Sequence, residues 1–362
     1  LFQSLTSLHA KDSRGSRELV ELWAHESLRV FGDRLPDSDS AMVAQRIAEL
    51  TASEFGGRDT AAKLLERAFT ATAGHYHRVD KMNEFLERAE ESLKAVAPHA
   101  SPPPLASTAA VPLLLRVKRL LSIAGAHCVV FHNAGGWTKT LVQIACHLQH
   151  AALFVVDQYT VKENIWKDEL KKALRAAADE SPADGRRGVA FLLNEALLGQ
   201  EFVLTDLRKL LQFSDLSSVF KREELDELRT GPGRPSEKKG GLDSGLSAES
   251  GVFSAVMRNL HVFTLSTGMH DSTYAESASK NSFLVDQFSL LHAGEPNQSD
   301  LLQLAISAPV ESPLPQEVAI ALPAALVELH HAAPSPCVTA FAEMAALAAE
   351  AASQRLALLP AK

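Results

Sequence analysis

Short apolar runs alternate with amphipathic stretches through the middle of this chain, and that alternation limits the possible folds more than any other feature. "VPLLLRVKRLLSIA" has the spacing of an amphipathic helix, "HCVVF" suits a short buried strand, "TKTLVQIACHLQH" is helical again, and "ALFVVD" is a second strand. The charged helix "NIWKDELKKALRAAADE", the strand "GVAFLLNE", the helix "EFVLTDLRKLLQF" and the strand "NLHVFTLST" continue the pattern. Strands that alternate with helices build a parallel sheet covered on both faces, because each crossover returns over the sheet. The expected fold class is therefore α/β, a three-layer parallel sheet with helical regions before and after it.

The flanks read differently. Residues 1–95 are helical in pattern, and nothing in them alternates like a strand. "SRELVELWAHESLRVFGDRL" puts Leu19, Leu22, Trp23, Leu28 and Phe31 near helical spacing, with Ser16 as an N-cap before Glu18. After Pro36, Asp39 or Ser40 can cap a second helix through Leu50, and "DKMNEFLERAEESLKAV" sets Met82, Phe85 and Leu86 on one face. Residues 98–110 are a Pro/Ala/Ser linker. Residues 230–250, rich in Gly, Ser and charge, read as a flexible insert. After about residue 300 the chain is Ala/Leu-rich and helical, with prolines at 309, 313, 315, 323, 334 and 336 as breaks.

Composition excludes several classes. With 36 basic and 44 acidic residues and a net charge of -8, no basic excess points to nucleic acid or to a membrane surface. No apolar run approaches the roughly 18 residues that a membrane helix needs. Cys128, Cys146 and Cys337 are odd in number and far apart, which argues for reduced thiols and against a zinc site or a disulfide scaffold. The chain starts at Leu1 without a signal peptide pattern, so it is expected to be processed or to be a piece of something longer.

The stretch "VVFHNAGGWTKTL" carries the chemistry, since a phosphate loop reads G-x-x-x-x-G-K-[ST] between a strand and a helix. Its glycines let backbone N–H groups turn toward phosphate oxygens, its lysine reaches the outer phosphates, and its hydroxyl serves magnesium. In one registration Asn133, Thr138, Lys139 and Thr140 take the four key positions, so the lysine and hydroxyl are present and both glycines are lost. A shift by one puts His132 and Trp137 on the glycine positions and is worse. Gly135 and Gly136 remain inside the loop. Trp137, bulky where the turn tolerates little, is expected to fill the space of a nucleotide.

Such sites also need a strand ending in acids that hold the metal and polarise water. "AFLLNEALL" offers only Glu195, with Asn194 or Ala196 on the other acidic position according to registration. The next strand ends in Ser266 and Thr267, where a polar residue senses the outer phosphate. His25 and the pair His330–His331 lack a spacing partner for a metal and suit surface or capping roles. "KREELDELR" reads as a solvated helix face, and Trp23 and Trp166 as packing residues.

"ELVELWAHESLRVFGDRL", "GAHCVVFHNAGGWTKTLVQIA", "EFVLTDLRKLLQFSDLSSVF" and "RNLHVFTL" together resemble the dynein heavy chain family. In order, they are similar to the closing lid of that family's third AAA+ module and the large subdomain of its fourth. "LPAALVELHHAAPSPCVTAFAEMAALAAEAASQRL" looks like the lid of the fourth module. The resemblance implies residues 1–97 as helical lid or linker of a preceding module, 98–110 as linker, 111–300 as a degenerate AAA+ large subdomain, and 301–362 as helical lid. It carries the metal-binding acid onto Glu195, the catalytic acid onto Ala196, and the sensor onto Ser266. Family members have "GVGGSG" in the loop, of which only Gly135 and Gly136 persist.

The implied function is a non-catalytic structural or scaffold module of an axonemal or other dynein-type assembly, with no catalytic residues and no metal. The alternative is a regulatory module of a microtubule motor that holds ATP or ADP with magnesium through Asn133, Gly135, Gly136, Thr138, Lys139, Thr140, Glu195 and Ser266. Expected partners are dynein-like or axonemal proteins, or other parts of a larger heavy chain, at the cytoskeleton of the cytoplasm, cilium or flagellum.

Overall fold

The computed structural model describes residues 16–55, 68–72, 75–98, 110–132, 137–179, 188–230, 244–267, 272–294, 298–306, 316–332, 341, 344–345 and 347–352. Its centre is a parallel sheet of β3 (His127–Phe131), β4 (Ala151–Val156), β5 (Gly188–Asn194), β6 (Leu260–Ser266) and β7 (Phe288–His292), in the order β4-β5-β6-β3-β7. Alternate side chains leave a strand on opposite faces, and the two cores follow that alternation. Val129, Phe131, Val189, Phe191 and Leu193 enter one apolar cluster with α6 (Glu163–Ala178), α7 (Glu201–Phe213) and α9 (Ser244–Asn259). Cys128, Val130, Ala190 and Leu192 enter the other with α3 (Met82–Val96), α4 (Ala110–Leu120) and α5 (Trp137–Gln149). Each large side chain buried this way contributes about 1.5–3 kcal/mol. The expected three-layer α/β architecture is the one observed.

The four expected strands are present, and a fifth, β7, pairs in parallel with β3 from His127↔Phe288 to Phe131↔His292. It escaped the pattern because it is a five-residue edge strand whose Ser289 is exposed, so its apolar run is broken. A second departure lies in the N-terminal region. β1 (Phe69–Thr72) and β2 (His75–Arg78) form an antiparallel pair in a stretch read as helical. Four residues per strand give too few alternations to read. One inward residue, Thr70, is polar, and its hydroxyl accepts from Lys118 Nζ at 3.1 Å.

The helices before the sheet are α1 (Ser16–Phe31), α2 (Asp37–Phe55) and α3. α2 starts at Asp37, ahead of Asp39 and Ser40, because Pro36 presets the first turn and its carbonyl accepts from Ser40 N at 2.9 Å. α3 buries Phe85, Ala89, Ser92 and Leu93, a stripe at i, i+4, i+7 and i+8, with Met82 and Leu86 at its margin. A charged seam joins α1 to α4. The carboxylate of Glu26, 0 % exposed, meets Arg119 at 3.1 Å and Arg29 at 3.0 Å. Asp33 faces Arg116 at 2.7 Å, and Arg116 also donates to His25 Nε2 at 2.8 Å. Burial outweighs the arginine at Asp33 and pushes its carboxyl above the usual range.

α8 (Arg222–Thr230), read as a solvated face, is held to the core. Glu224 pairs with Lys171 at 2.8 Å and Arg175 at 3.3 Å, while Leu225 and Leu228 pack on the α6–α7 cluster. α9 begins at Ser244, inside the span read as an insert, because Val252, Ala255 and Val256 bury its later turns against the core. Residues 231–243 of that span lie outside the described residues. Trp166 is a packing residue as expected, fully buried, and its indole N–H donates to Asp206 at 3.0 Å, tying α6 to α7. Gly125 turns the chain into β3 at φ +63, and a Cβ there would meet the Met257 carbonyl at 2.6 Å. Beyond the sheet, α10 (Thr273–Lys280) and α11 (Phe283–Gln287) lead into β7, and α12 (Gln298–Ile306) packs on α13 (Gln316–Ala332). Pro323 lies inside α13 and does not break it.

Cys128 and Cys146 are buried, free thiols, as expected, and burial pushes Cys146 up to about 12. Cys337 lies outside the described residues. No group of His, Cys, Asp and Glu among the described residues can hold a metal, and no described helix is long and apolar enough to cross a membrane.

Candidate functional site

In a parallel sheet the carboxyl ends of the strands share one edge, and ligands of such folds bind beside it. β3 reaches that edge at Phe131, β4 at Val156, β5 at Asn194 and β6 at Ser266, with Phe131 opposite Ser266 and Asn194 opposite Leu265. This register brings together residues 71 apart in sequence. Ser266 Oγ donates to Glu195 Oε2 at 2.6 Å. Thr267 donates twice to Glu195 Oε1, through its hydroxyl at 2.8 Å and its backbone N–H at 3.0 Å. The Glu195 carboxylate is 9 % exposed and both of its oxygens are engaged.

The neighbours of Glu195 are occupied with local structure. Asn194 Oδ1 accepts from Ala196 N at 3.0 Å and caps the short 3₁₀ helix Glu195–Gly199. Ala196 brings a methyl group to the position where the family likeness expects the catalytic acid. His132 follows β3 and its backbone N–H donates to the Ser266 carbonyl at 2.9 Å. Its buried Nδ1 makes no hydrogen bond among the described residues. Burial holds this imidazole below the usual histidine range against the opposing pull of Glu195.

Lys139 lies in the first turn of α5, as expected for the lysine of a phosphate loop, but its ammonium is ion-paired with Asp157 at the end of β4. Lys139 is 34 % exposed and Asp157 59 %. Thr138 is 0 % exposed, and its Oγ1 makes no hydrogen bond among the described residues. Thr140 is half-buried in the same turn. Trp137 is half-buried too, and its ring packs against the α4–α5 apolar cluster instead of standing free in solvent. Asn133, Gly135 and Gly136 lie outside the described residues.

Of the eight site residues read from the sequence, the structure thus brings Glu195 and Ser266 into contact, sets Lys139 on a different acid, and buries Thr138. Three further residues complete the arrangement. Thr267 closes the Glu195 cage, Asp157 holds Lys139, and His132 stands beside Glu195. The polar end of "NLHVFTLST" and the aspartate ending "ALFVVD" were visible signals, yet only strand order shows which residues they face.

These contacts test whether magnesium triphosphate fits. A metal-holding carboxylate needs a lone pair facing the ion, and a phosphate-loop lysine needs its ammonium over the outer phosphates. Glu195 spends both oxygens on protein donors, Lys139 is turned to Asp157, and Ala196 has no group to polarise water. Among the described residues the second acidic position is an alanine, so the arrangement observed lacks the group that polarises water.

The profile of a family described as "P-loop containing dynein motor region D4" matches residues 105–347, well over half of the chain. The chain is similar to dynein axonemal heavy chain 11 of Sus scrofa, 24% identical over 259 residues, which cover 67% of this chain and 6% of that one. It is similar to the cytoplasmic dynein heavy chains of Drosophila melanogaster, 24% identical over 76% of this chain, and of Caenorhabditis elegans, 24% identical over 81%. It spans 6% of the length of each of these relatives. A solved structure of Rif2 with the C-terminal domain of Rap1 overlaps 69% of this chain and 73% of its own at 10% identity and a TM-score of 0.28, too loosely to carry any argument.

Proposed function

Since this chain belongs to the family of P-loop containing dynein motor region D4, we propose that it serves as a non-catalytic structural AAA+ module of a dynein-type assembly. The observation that carries this reading is the Glu195 carboxylate, closed by Ser266 and Thr267 and followed by Ala196. An acid that accepts three protein hydrogen bonds braces the end of β5 against the end of β6. In this reading residues 1–97 are the lid of a preceding module, residues 301–362 are the module's own lid, and the charged α1–α4 seam joins the first of these to the sheet. The partners are then other segments of a longer heavy chain, or dynein-like and axonemal proteins, at the cytoskeleton.

One observation favours a second reading, a regulatory binder of ATP or ADP. The Lys139–Asp157 pair is exposed, and exposed pairs contribute only about 0–1 kcal/mol, so a phosphate group is able to displace Asp157. Equilibrium titration of the purified chain with MgATP and MgADP separates the two. The structural reading expects no binding tighter than about 100 μM and no turnover. Tighter binding that disappears in Lys139→Ala moves the assignment to the regulatory reading. Hydrolysis abolished by Glu195→Gln overturns both.

A further inference from the structure

The sheet ends in β7 on one side and β4 on the other, and these two edges are built differently. The outer side of β7 is engaged at its end, where His292 N donates to the Asp33 carbonyl at 2.6 Å, and the strand carries the exposed Ser289. β4 has no such device. Among the described residues no strand pairs with its outer side. Its sequence, AALFVV, holds no proline, charge or hydroxyl. α5 and α6 pack on its two faces, yet Ala151, Ala152, Leu153 and Phe154 are only half-buried and Val155 is 36 % exposed, whereas all five residues of β3 are buried. An open edge offers unpaired N–H and C=O groups to another strand, and proteins blunt such edges with a charge, a proline or a bulge unless a partner covers them.

The pattern along β4 and α6 suits a second copy of the same chain. A two-fold axis normal to the sheet sets β4 antiparallel to its own copy and keeps each face on its own side, so only residues of the same face stand opposite each other. With the axis at Leu153, Ala152 meets Phe154 on the α6 face and Ala151 meets Val155 on the α5 face, small against large at both steps. The next register sets Phe154 on Phe154 and Ala151 on Asp157, and the match is lost. The same axis runs α6 antiparallel to its copy. The first half of α6 carries Glu163, Asp168 and Glu169 with one lysine, and its second half carries Lys171, Lys172 and Arg175 with no acid. Antiparallel copies therefore bring acid toward base, whereas a parallel approach sets like charges together.

We propose that β4 is a homotypic docking edge, at which a second copy of this chain adds its own β4 antiparallel about Leu153 and continues the sheet. Both copies use the same edge, so the pairing closes at a dimer. The inference goes beyond the function proposed above and uses none of the residues on which the nucleotide question turns.

Sedimentation velocity of the full 362-residue chain over about 1–100 μM tests this. A reversible monomer–dimer equilibrium within that range is expected. Val155→Lys places an ammonium on the paired edge and is expected to raise the dissociation constant about tenfold or more, the size of a charge desolvated without a partner. Val285→Lys makes the same change at an exposed position on α11, 56 % exposed, and is expected to leave the dimer intact. Because a strand variant puts the fold at risk, α6 provides a second test. Asp168→Lys alone is expected to weaken the dimer, and Asp168→Lys with Lys172→Asp is expected to restore it. A monomer throughout the range, assemblies larger than a dimer, an equal loss in Val285→Lys, or a dimer indifferent to both Val155→Lys and Asp168→Lys overturns the proposal.

Discussion

The α1–α4 seam and the loop edge of the sheet are built from the same chemistry, carboxylates against cations, yet they hold unequal weight. In the seam Glu26 is 0 % exposed and meets two arginines, whereas at the loop edge Lys139 and Asp157 are 34 % and 59 % exposed. Buried ions cost several kcal/mol to desolvate, so their partners become obligatory, while exposed ions exchange partners with water at little cost. The seam therefore specifies how the N-terminal helices meet the sheet. The loop edge merely chooses a resting place for one lysine. Glu195 lies between these limits, buried like the seam but closed by hydroxyl and backbone donors instead of cations.

Removing one partner in the seam is the strongest way to break this contrast. Glu26→Ala leaves Arg119 and Arg29 without that carboxylate and is expected to destabilise the chain by about 3–5 kcal/mol, read from urea unfolding at neutral pH. A loss below about 1 kcal/mol, the range of an exposed pair, would erase the distinction between the two regions.

A second measurement sharpens it with groups that are buried but neutral. At the opposite edge of the sheet, His127 Nδ1 accepts from Val262 N at 3.1 Å and His261 donates to the Ala126 carbonyl at 3.1 Å. Burial pushes His127 down to about 3 and His261 down to about 4. Both folded values lie below the unfolded one, so the unfolded chain takes up protons first. Stability is retained above about pH 6.5 and falls as the pH drops toward about 4. The expected loss between pH 7 and 5 is on the order of 3–4 kcal/mol for the two together, and unfolding of His261→Gln at both pH values should show about half that dependence. An unchanged dependence in the variant removes His261 from this account.

The smallest effect is expected at the loop edge. Asp157→Asn should change stability by less than about 1 kcal/mol in the same denaturation experiment. It should also change MgATP affinity by no more than about fivefold, since about 1 kcal/mol corresponds to that factor. A variant that gains tight nucleotide binding would give the Lys139–Asp157 pair a gating role that its exposure does not support.

Much of the fold was readable because it rests on local periodicity. β3, β4 and β5 carry apolar runs of four or more residues, β6 is apolar apart from the buried His261, Thr264 and Ser266, and the helices between them carry apolar stripes, so the alternation along these strands fills both faces of the sheet. β1, β2 and β7 were not readable, because short pairs and a solvent-facing edge strand lack enough apolar positions to declare themselves. α8 misled for a related reason. Its charged face hides Leu225 and Leu228, and only the position of Lys171 on α6 turns Glu224 inward.

The candidate site divides the same way. The sequence by itself determined which chemical groups reach the carboxyl edge: a lysine and hydroxyls after β3, one acid after β5, an alanine beside it, and hydroxyls after β6. It also determined the loss of the loop glycines, since that is a matter of residue identity. Only the tertiary structure decided what those groups do. Strand order β4-β5-β6-β3-β7 sets Ser266 and Thr267 against Glu195, and sets Asp157 within reach of Lys139. The physical reason is that residue types and periodicity are local properties, whereas a hydrogen bond between residues 71 apart exists only once parallel pairing has fixed which strand ends are neighbours.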